Sequence, residues 1–333
     1  MTDRPPARPE RRRLLATGTG FAFAAGLQNA FAQEPYPSRP LRLIAPIAPG
    51  GLTDSLARLL ATGLSARLQQ PVVVENRAGG GGVIGTTAAA KQAADGYNLL
   101  LVYQGIASVN PVLYNDLPYA TLRDFAPVAK VATFPLALVV HSDVKARSVQ
   151  ELVALAKAKP GSLSYASAGN ATTAHLTMEL FKRQAGLHLV HIPYKGEAPA
   201  LNDLMGGQVE VAFSSLASVL PHLKSGRLRP LGIASLERSS LAADIPTIHE
   251  TGLKGFQSEG WYGVLVPIGT PAAVIERLNR ELLAVLADPE TKAKMAAQAV
   301  VPSPSSPQAL RQWIADETER WRKIITEVGI KPD

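Results

Sequence analysis

Leu41-Arg42-Leu43-Ile44-Ala45-Pro46-Ile47-Ala48-Pro49-Gly50-Gly51-Leu52-Thr53-Asp54 is an apolar run that stops at Pro-Gly-Gly and passes directly into the helical pattern Ser55-Leu56-Ala57-Arg58-Leu59-Leu60. It reads as strand, tight turn and helix. The glycines permit backbone angles and a close approach that other residues resist, and Thr53 or Asp54 can cap the helix. The free N–H groups of the first helical turn then point beyond the strand end, where they form a seat for an anion. The same turn also serves as a plain βα connection, so the motif alone does not establish a ligand.

Outward from this unit the pattern repeats. Pro71-Val72-Val73-Val74-Glu75-Asn76 is a β-branched strand, Gly79-Gly80-Gly81-Gly82 leads to a helix over 86–93, Asp95-Gly96-Tyr97 marks a turn, and Leu99-Leu100-Leu101-Val102 is another strand. Continuous apolar runs, rather than alternation, predict strands covered on both faces, as in a parallel α/β sheet. A second series starts at an apolar strand over 134–141. Ser148-Val149-Gln150-Glu151 has capping-box spacing and opens a helix that ends near Lys159-Pro160-Gly161. Strand 163–166, a polar loop 167–173, helix 175–184, strand 187–192, helix 198–205 and strands 209–213 and 228–234 follow. Strand 261–266 and helices 271–286 and 307–328 are too little for a third domain. The economical solution returns this tail to the first domain, so the chain crosses twice and leaves a cleft. The expected lobes are 33–135 with 247–333, and 136–246.

The opening segment has a different character. Arg11-Arg12-Arg13, an apolar stretch over 14–27 and Ala30-Phe31-Ala32 before Gln33 predict an export signal over 1–32, removed after transport. Arg11-Arg12-Arg13-Leu14-Leu15 also fits the twin-arginine pattern. Thr17-Gly18-Thr19-Gly20 interrupts the apolar run, which argues against a membrane anchor, and the expected location is the periplasm. Removing the five arginines and two acids of this segment lowers the formal charge from +7 to +4. That mild excess favours anionic ligands, but no Lys/Arg stripe with interleaved aromatics points to nucleic acid. The 333 residues contain no cysteine, which excludes a disulfide framework and Cys-based metal or nucleophile sites, and 46% hydrophobic content suffices for two cores.

Gly80-Gly81-Gly82-Val83-Ile84-Gly85 satisfies the dinucleotide spacing G-x-G-x-x-G, but a run of four glycines meets its first half automatically, and no acidic group follows the next strand to hold a ribose. Close packing of the loop against a cleft wall is the better reading. Ser167-Ala168-Gly169-Asn170-Ala171-Thr172-Thr173-Ala174-His175 is the second domain's counterpart to the Pro-Gly-Gly turn: hydroxyls, an amide and free N–H groups before a helix can donate to a carboxylate without a counter-charge. A hydrolase is the competing class, yet no G-x-S-x-G elbow occurs and no base is placed by spacing beside a nucleophile. His175 reads as a helix-terminus hydrogen-bonder. His188 and His191 alternate on a strand without an evident third metal ligand, and neither metal nor cofactor is expected. Trp261 and Tyr262 fit core or cleft wall equally, whereas Trp313 and Trp321 share a helix face and read as packing.

The assembled motifs resemble the extracytoplasmic solute receptors of the tripartite tricarboxylate transporter family, also called Bug receptors. Carrying the resemblance are Pro46 to Asp54, Glu75-Asn76-Arg77-Ala78 with the glycine run, Asp95-Gly96-Tyr97, Ser167-Ala168-Gly169-Asn170 with His175-Leu176, His191-Ile192-Pro193-Tyr194-Lys195-Gly196 with Pro199-Ala200, and Trp261-Tyr262-Gly263. They stand in the family's order over essentially the whole chain after the signal. The resemblance implies a two-lobed α/β periplasmic binding protein fold of type II character, each lobe a doubly wound sheet, closing without catalysis on a small organic carboxylate and docking on membrane permease subunits. A monomer is expected. The implied ligand contacts are Ile47, Pro49, Gly50, Gly51, Leu52, Thr53 and Asp54 on one lip and Ser167, Ala168, Gly169, Asn170, Ala171, Thr172, Thr173 and His175 on the other. Gln104 and Ser108, in the loop after Val102, with Ser214 and Ser215 border the ligand's far end. Ile47, where family members commonly carry an aromatic, and Ala171-Thr172, often Gly-Ser, are departures that bear on ligand identity. Closure is expected through the strands near Leu136–Val140 and Leu231–Ser235. An exported α/β hydrolase of carboxylate esters and a sensor module for a membrane signalling partner are the alternatives.

Overall fold

Apolar runs bounded by Pro, Gly and Asp set the strands, and capped amphipathic stretches set the helices between them. The computed structural model describes residues 36–50, 52–194, 196–223 and 225–331. The expected export signal and Gly51 lie outside the described residues. In chain order the elements are β1 (Leu41–Ala45), α1 (Leu52–Leu68), β2 (Val72–Asn76), α2 (Val83–Ala90), β3 (Asn98–Tyr103), α3 (Asn110–Leu113), α4 (Thr121–Asp124), β4 (Phe125–Phe134), β5 (Leu136–His141), α5 (Val149–Ala158), β6 (Ser164–Ser167), α6 (Thr173–Ala185), β7 (Val190–Pro193), α7 (Glu197–Met205), β8 (Val211–Ser215), α8 (Leu216–Leu223), β9 (Leu228–Ile233), β10 (Gly260–Pro267), α9 (Ala272–Ala287), α10 (Pro289–Ala296), β11 (Val301–Pro302) and α11 (Pro307–Val328).

These strands form two sheets, in the orders β11-β4-β10-β3-β1-β2 and β7-β6-β8-β5-β9. The two-lobed α/β expectation holds. In each sheet three consecutive strands run parallel with the first in the middle, β2-β1-β3 and β7-β6-β8, and the next strand, β10 or β5, runs antiparallel. The sheets are therefore mixed rather than wholly parallel. The antiparallel strand in each begins just after the chain arrives from the other sheet: β5 follows β4 across Pro135, and β10 follows the return from β9. Each sheet is covered on both faces by its own pair of apolar clusters, one pair built around Leu43, Val264, Ile44 and Leu100, the other around Leu138, Phe213, Val139 and Leu204.

The main element missing from the sequence reading is β4. Pro127 and Lys130 interrupt its pattern, and both are accommodated locally: one register shift against β10 falls beside Pro127 and another beside Lys130, whose ammonium lies 3.9 Å above the Trp313 ring. The expected loop after Val102 is instead a wide helical turn over Gly105–Val109 running into α3, because Ile106, Ala107 and Val109 are apolar and buried. Its carbonyls are held by Tyr119, which donates to Ile106 O, and Thr121, which donates to Ala107 O. The tail joins both halves. Leu310 and Ile314 of α11 pack on the first sheet's cluster, whereas Trp321, Ile324 and Ile325 pack on the second's. The segment before β10 also belongs by contact to the second sheet: Ile248 N–H donates to Ile233 O, and the Ser258 hydroxyl pairs with Thr177 at 2.6 Å.

Candidate functional site

The carboxyl ends of parallel strands beside an antiparallel neighbour are where open α/β sheets hold ligands. At the end of β1, Pro49 and Gly50 are exposed and Gly50 adopts φ +96°, a conformation that favours glycine. The Asp54 carboxylate turns back on this bend. It accepts the Gly50 N–H at 3.0 Å, Arg58 Nε at 3.1 Å and Asn76 Nδ2 at 2.9 Å. These bonds, the Gly50 amide foremost, hold its carboxyl at about 2, well below the usual range. Asp54 thus shapes the turn, while Ile47 and Leu52 pack against the first core. Thr53 donates to the Tyr262 hydroxyl at 3.1 Å, and the Tyr262 ring lies 5.5 Å from that of Phe134 at the crossover. The glycine run braces the bend from behind. A Cβ on Gly85 would meet Arg77 O at 2.5 Å and Pro46 Cβ at 2.8 Å, and Tyr103 donates to Gly81 O at 3.0 Å.

The loop between β6 and α6 is wound tightly on its own side chains. Thr172 caps α6, accepting the His175 N–H, and donates to Gly169 O at 2.8 Å. The Ser167 hydroxyl accepts the Gly169 N–H at 3.2 Å. Ala171, at φ +55°, donates its N–H to His175 Nδ1 at 3.0 Å. His175 is therefore a buried prop behind the bend, as its place at a helix start suggested. Further back, Tyr165, His191 and His175 stack in series, with centroids 4.7 and 4.0 Å apart, and Tyr165 donates to Glu179 at 2.5 Å. What remains forward is backbone: the first-turn N–H groups of Thr173 and Ala174 have no acceptor among the described residues.

Thr173 and Ala174 line a cavity of about 180 Å³. Ser167, Ala168, Thr172, Thr173 and Ala174 line one side, Ser214 and Ser215 at the end of β8 another, and Phe134 and Leu136 the crossover. Six of the expected contacts thus share one wall: Ser167, Ala168, Thr172, Thr173, Ser214 and Ser215. No Lys, Arg or His lines it among the described residues. Glu197 does, and sequence reasoning missed it. Its carboxylate oxygen Oε1 accepts from Ser214 Oγ at 2.5 Å and from the Ser215 N–H at 2.8 Å. The available signal was an acid at the first helical position after Gly196.

Other expected residues stand elsewhere. Gln104 is 1% exposed, and its amide donates to Glu317 Oε2 at 2.8 Å, away from the cavity wall. Ser108 is fully buried in the turn before α3. Gly169, Asn170 and Ala171 form the bend outside the wall, and among the described residues the first lip connects to the cavity through Tyr262 and Phe134. Trp261 is core, donating to Glu317 at 3.2 Å. Ser167 Oγ lies 2.7 Å from His191 Nε2, a nucleophile–base distance that spacing did not suggest. That serine is 1% exposed and its histidine is clamped in the ring stack, which suits a brace better than a base. No group of three metal-ligating side chains occurs among the described residues.

The model of the tripartite tricarboxylate transporter family receptor matches residues 56–330. Protein BugT of Bordetella pertussis is 42% identical over 320 residues, covering 96% of this chain and 98% of that protein. Among solved structures, R. palustris Rpa4515 with adipate is 34% identical with a TM-score of 0.75, and the periplasmic binding protein BugD is 34% identical with a TM-score of 0.71. Each alignment covers 90% of this chain and all of the other. Two mixed sheets, a cleft wall of amides and hydroxyls, and this similarity over nearly the full length agree, and the chain belongs to the tripartite tricarboxylate transporter family of solute-binding receptors.

Proposed function

We propose that this receptor captures a small organic carboxylate between its lobes, unchanged by any catalysis, and delivers it to membrane subunits of a tripartite transporter. The observation that carries the reading is the cavity wall: the first-turn amides of Thr173 and Ala174, with no acceptor among the described residues, stand beside serine and threonine hydroxyls, and no basic side chain among the described residues lines it. Such a wall can hold an anion by hydrogen bonds from neutral donors. A relative, Rpa4515, was solved with adipate, which supports the ligand class.

In this reading Pro49, Gly50 and Thr53 form the lip opposite Ser167 to Thr173, while Asp54, Gln104 and His175 support the two lips from behind. The proposed lobes are 36–135 and 136–258, with 259–331 returning to the first and the end of α11 lying against the second; the contacts of Ile248 and Ser258 support a second crossing later than the expected 246. Export of a monomer to the periplasm by the signal over 1–32 completes the proposal.

The Ser167–His191 pair is the one observation that favours a hydrolase. Thermal unfolding with a panel of small carboxylates, followed by recovery of the ligand, separates the two. A receptor gains stability with a chemical subset and returns it intact. Turnover of a carboxylate ester would overturn the proposal.

A further inference from the structure

The cavity carries one feature that a plain anion seat does not need: a carboxylate of its own. Glu197 Oε1 is fixed by Ser214 Oγ at 2.5 Å and the Ser215 N–H at 2.8 Å, and Oε2 accepts no hydrogen bond among the described residues. The group is held in orientation by two donors from β8, so its second oxygen is offered to the cavity without the ordering cost a free side chain would bear. The Tyr262 phenol is pushed up chiefly by burial, the Thr53 bond opposing, and the charge of Glu197 adds to the rise.

We infer that Glu197 is a specificity residue, which selects carboxylates carrying a hydroxyl or ammonium group by accepting a hydrogen bond from it. The inference rests on the receptor reading above and deepens it. An anion seated on the Thr173 and Ala174 amides sits in a cavity that also holds Glu197, so a second bare carboxylate directed at that residue is repelled, whereas a donor at the same place is paired. Sites built to hydrogen-bond a ligand group reject the analogue lacking it far more strongly than apolar pockets reject an added group. Ammonium gains more than hydroxyl because the interaction is then between opposite charges.

The test uses succinate, malate and aspartate, which share a four-carbon frame and differ only by the donor, titrated calorimetrically into the wild-type protein and Glu197→Gln. Wild type is expected to bind malate and aspartate about tenfold or more tighter than succinate. Glu197→Gln retains an oxygen for Ser214 and Ser215, and is expected to weaken aspartate by about thirtyfold, malate by a few-fold, and succinate not at all. Equal weakening of all three would show that Glu197 only braces β8, and equal binding of all three by wild type would remove its selectivity; either overturns the inference while leaving carboxylate capture standing. Folded wild-type protein that binds none of them and no other small carboxylate overturns both.

Discussion

Thr53, at the head of α1, donates to the hydroxyl of Tyr262, 209 residues later on β10, at 3.1 Å. The bond ties the first lip to the strand on which the chain re-enters the first sheet, and Tyr262 in turn rests on Phe134 in the cavity wall. Tyr262→Phe removes the acceptor while keeping the ring. Ligand affinity is expected to fall a few-fold, with stability reduced by about 0.5–1.5 kcal/mol. Calorimetric titration and urea unfolding of the same variant read the two effects separately.

Asp54 makes the lip sensitive to acid. Its carboxyl is held at about 2 in the folded protein against an ordinary 3.8. A depressed folded value contributes stability that is complete above the unfolded value and is lost as pH falls through about 2. Asp54→Asn is expected to cost about 1–2 kcal/mol at pH 7, because the amide oxygen cannot replace three charge-assisted bonds. The gap between wild type and variant in urea midpoint should narrow from about pH 4 downward; a gap that widens there contradicts the assignment.

Glu317 is a polar knot between the two sheets' apolar clusters. Its Oε2 accepts from Gln104 Nε2 at 2.8 Å, Trp261 Nε1 at 3.2 Å and Trp321 Nε1 at 3.0 Å, and Arg320 lies 3.3 Å from Oε1. Glu317→Ala strands three buried donors and is expected to cost about 2–4 kcal/mol. The tryptophan near-ultraviolet circular dichroism should change with it. A loss under 1 kcal/mol would show that these donors find other partners.

The strands were legible as unbroken apolar runs: Leu99 to Val102 is buried on both faces, whereas Val72 to Val74, at a sheet edge with Val73 exposed, was read from β-branching alone. β4 was not, because Pro127 and Lys130 answer to β10 and Trp313 rather than to their neighbours. The loops of the site could be read from glycines, hydroxyls and helix starts, which are local properties. The direction of each side chain could not. Gln104 turns inward to meet a glutamate 213 residues away, and Glu197 reaches the cavity only because Ser214 and Ser215 draw its carboxylate to the end of β8.

The central claim is that backbone amides seat the ligand's carboxylate, and Thr173→Pro tests it most directly. Thr173 is the first residue of α6, where proline's fixed φ and missing N–H suit a helix, and Thr172 before it is already extended at φ −66°, ψ 158°. The substitution deletes the amide donor together with the Thr173 hydroxyl and leaves the helix in place, and Thr173→Val, which keeps the amide, is the control. Titration of the carboxylate that stabilises wild type is expected to show affinity lowered about tenfold or more in the variant, with its melting temperature without ligand unchanged. Equal affinity in the two proteins would contradict the account.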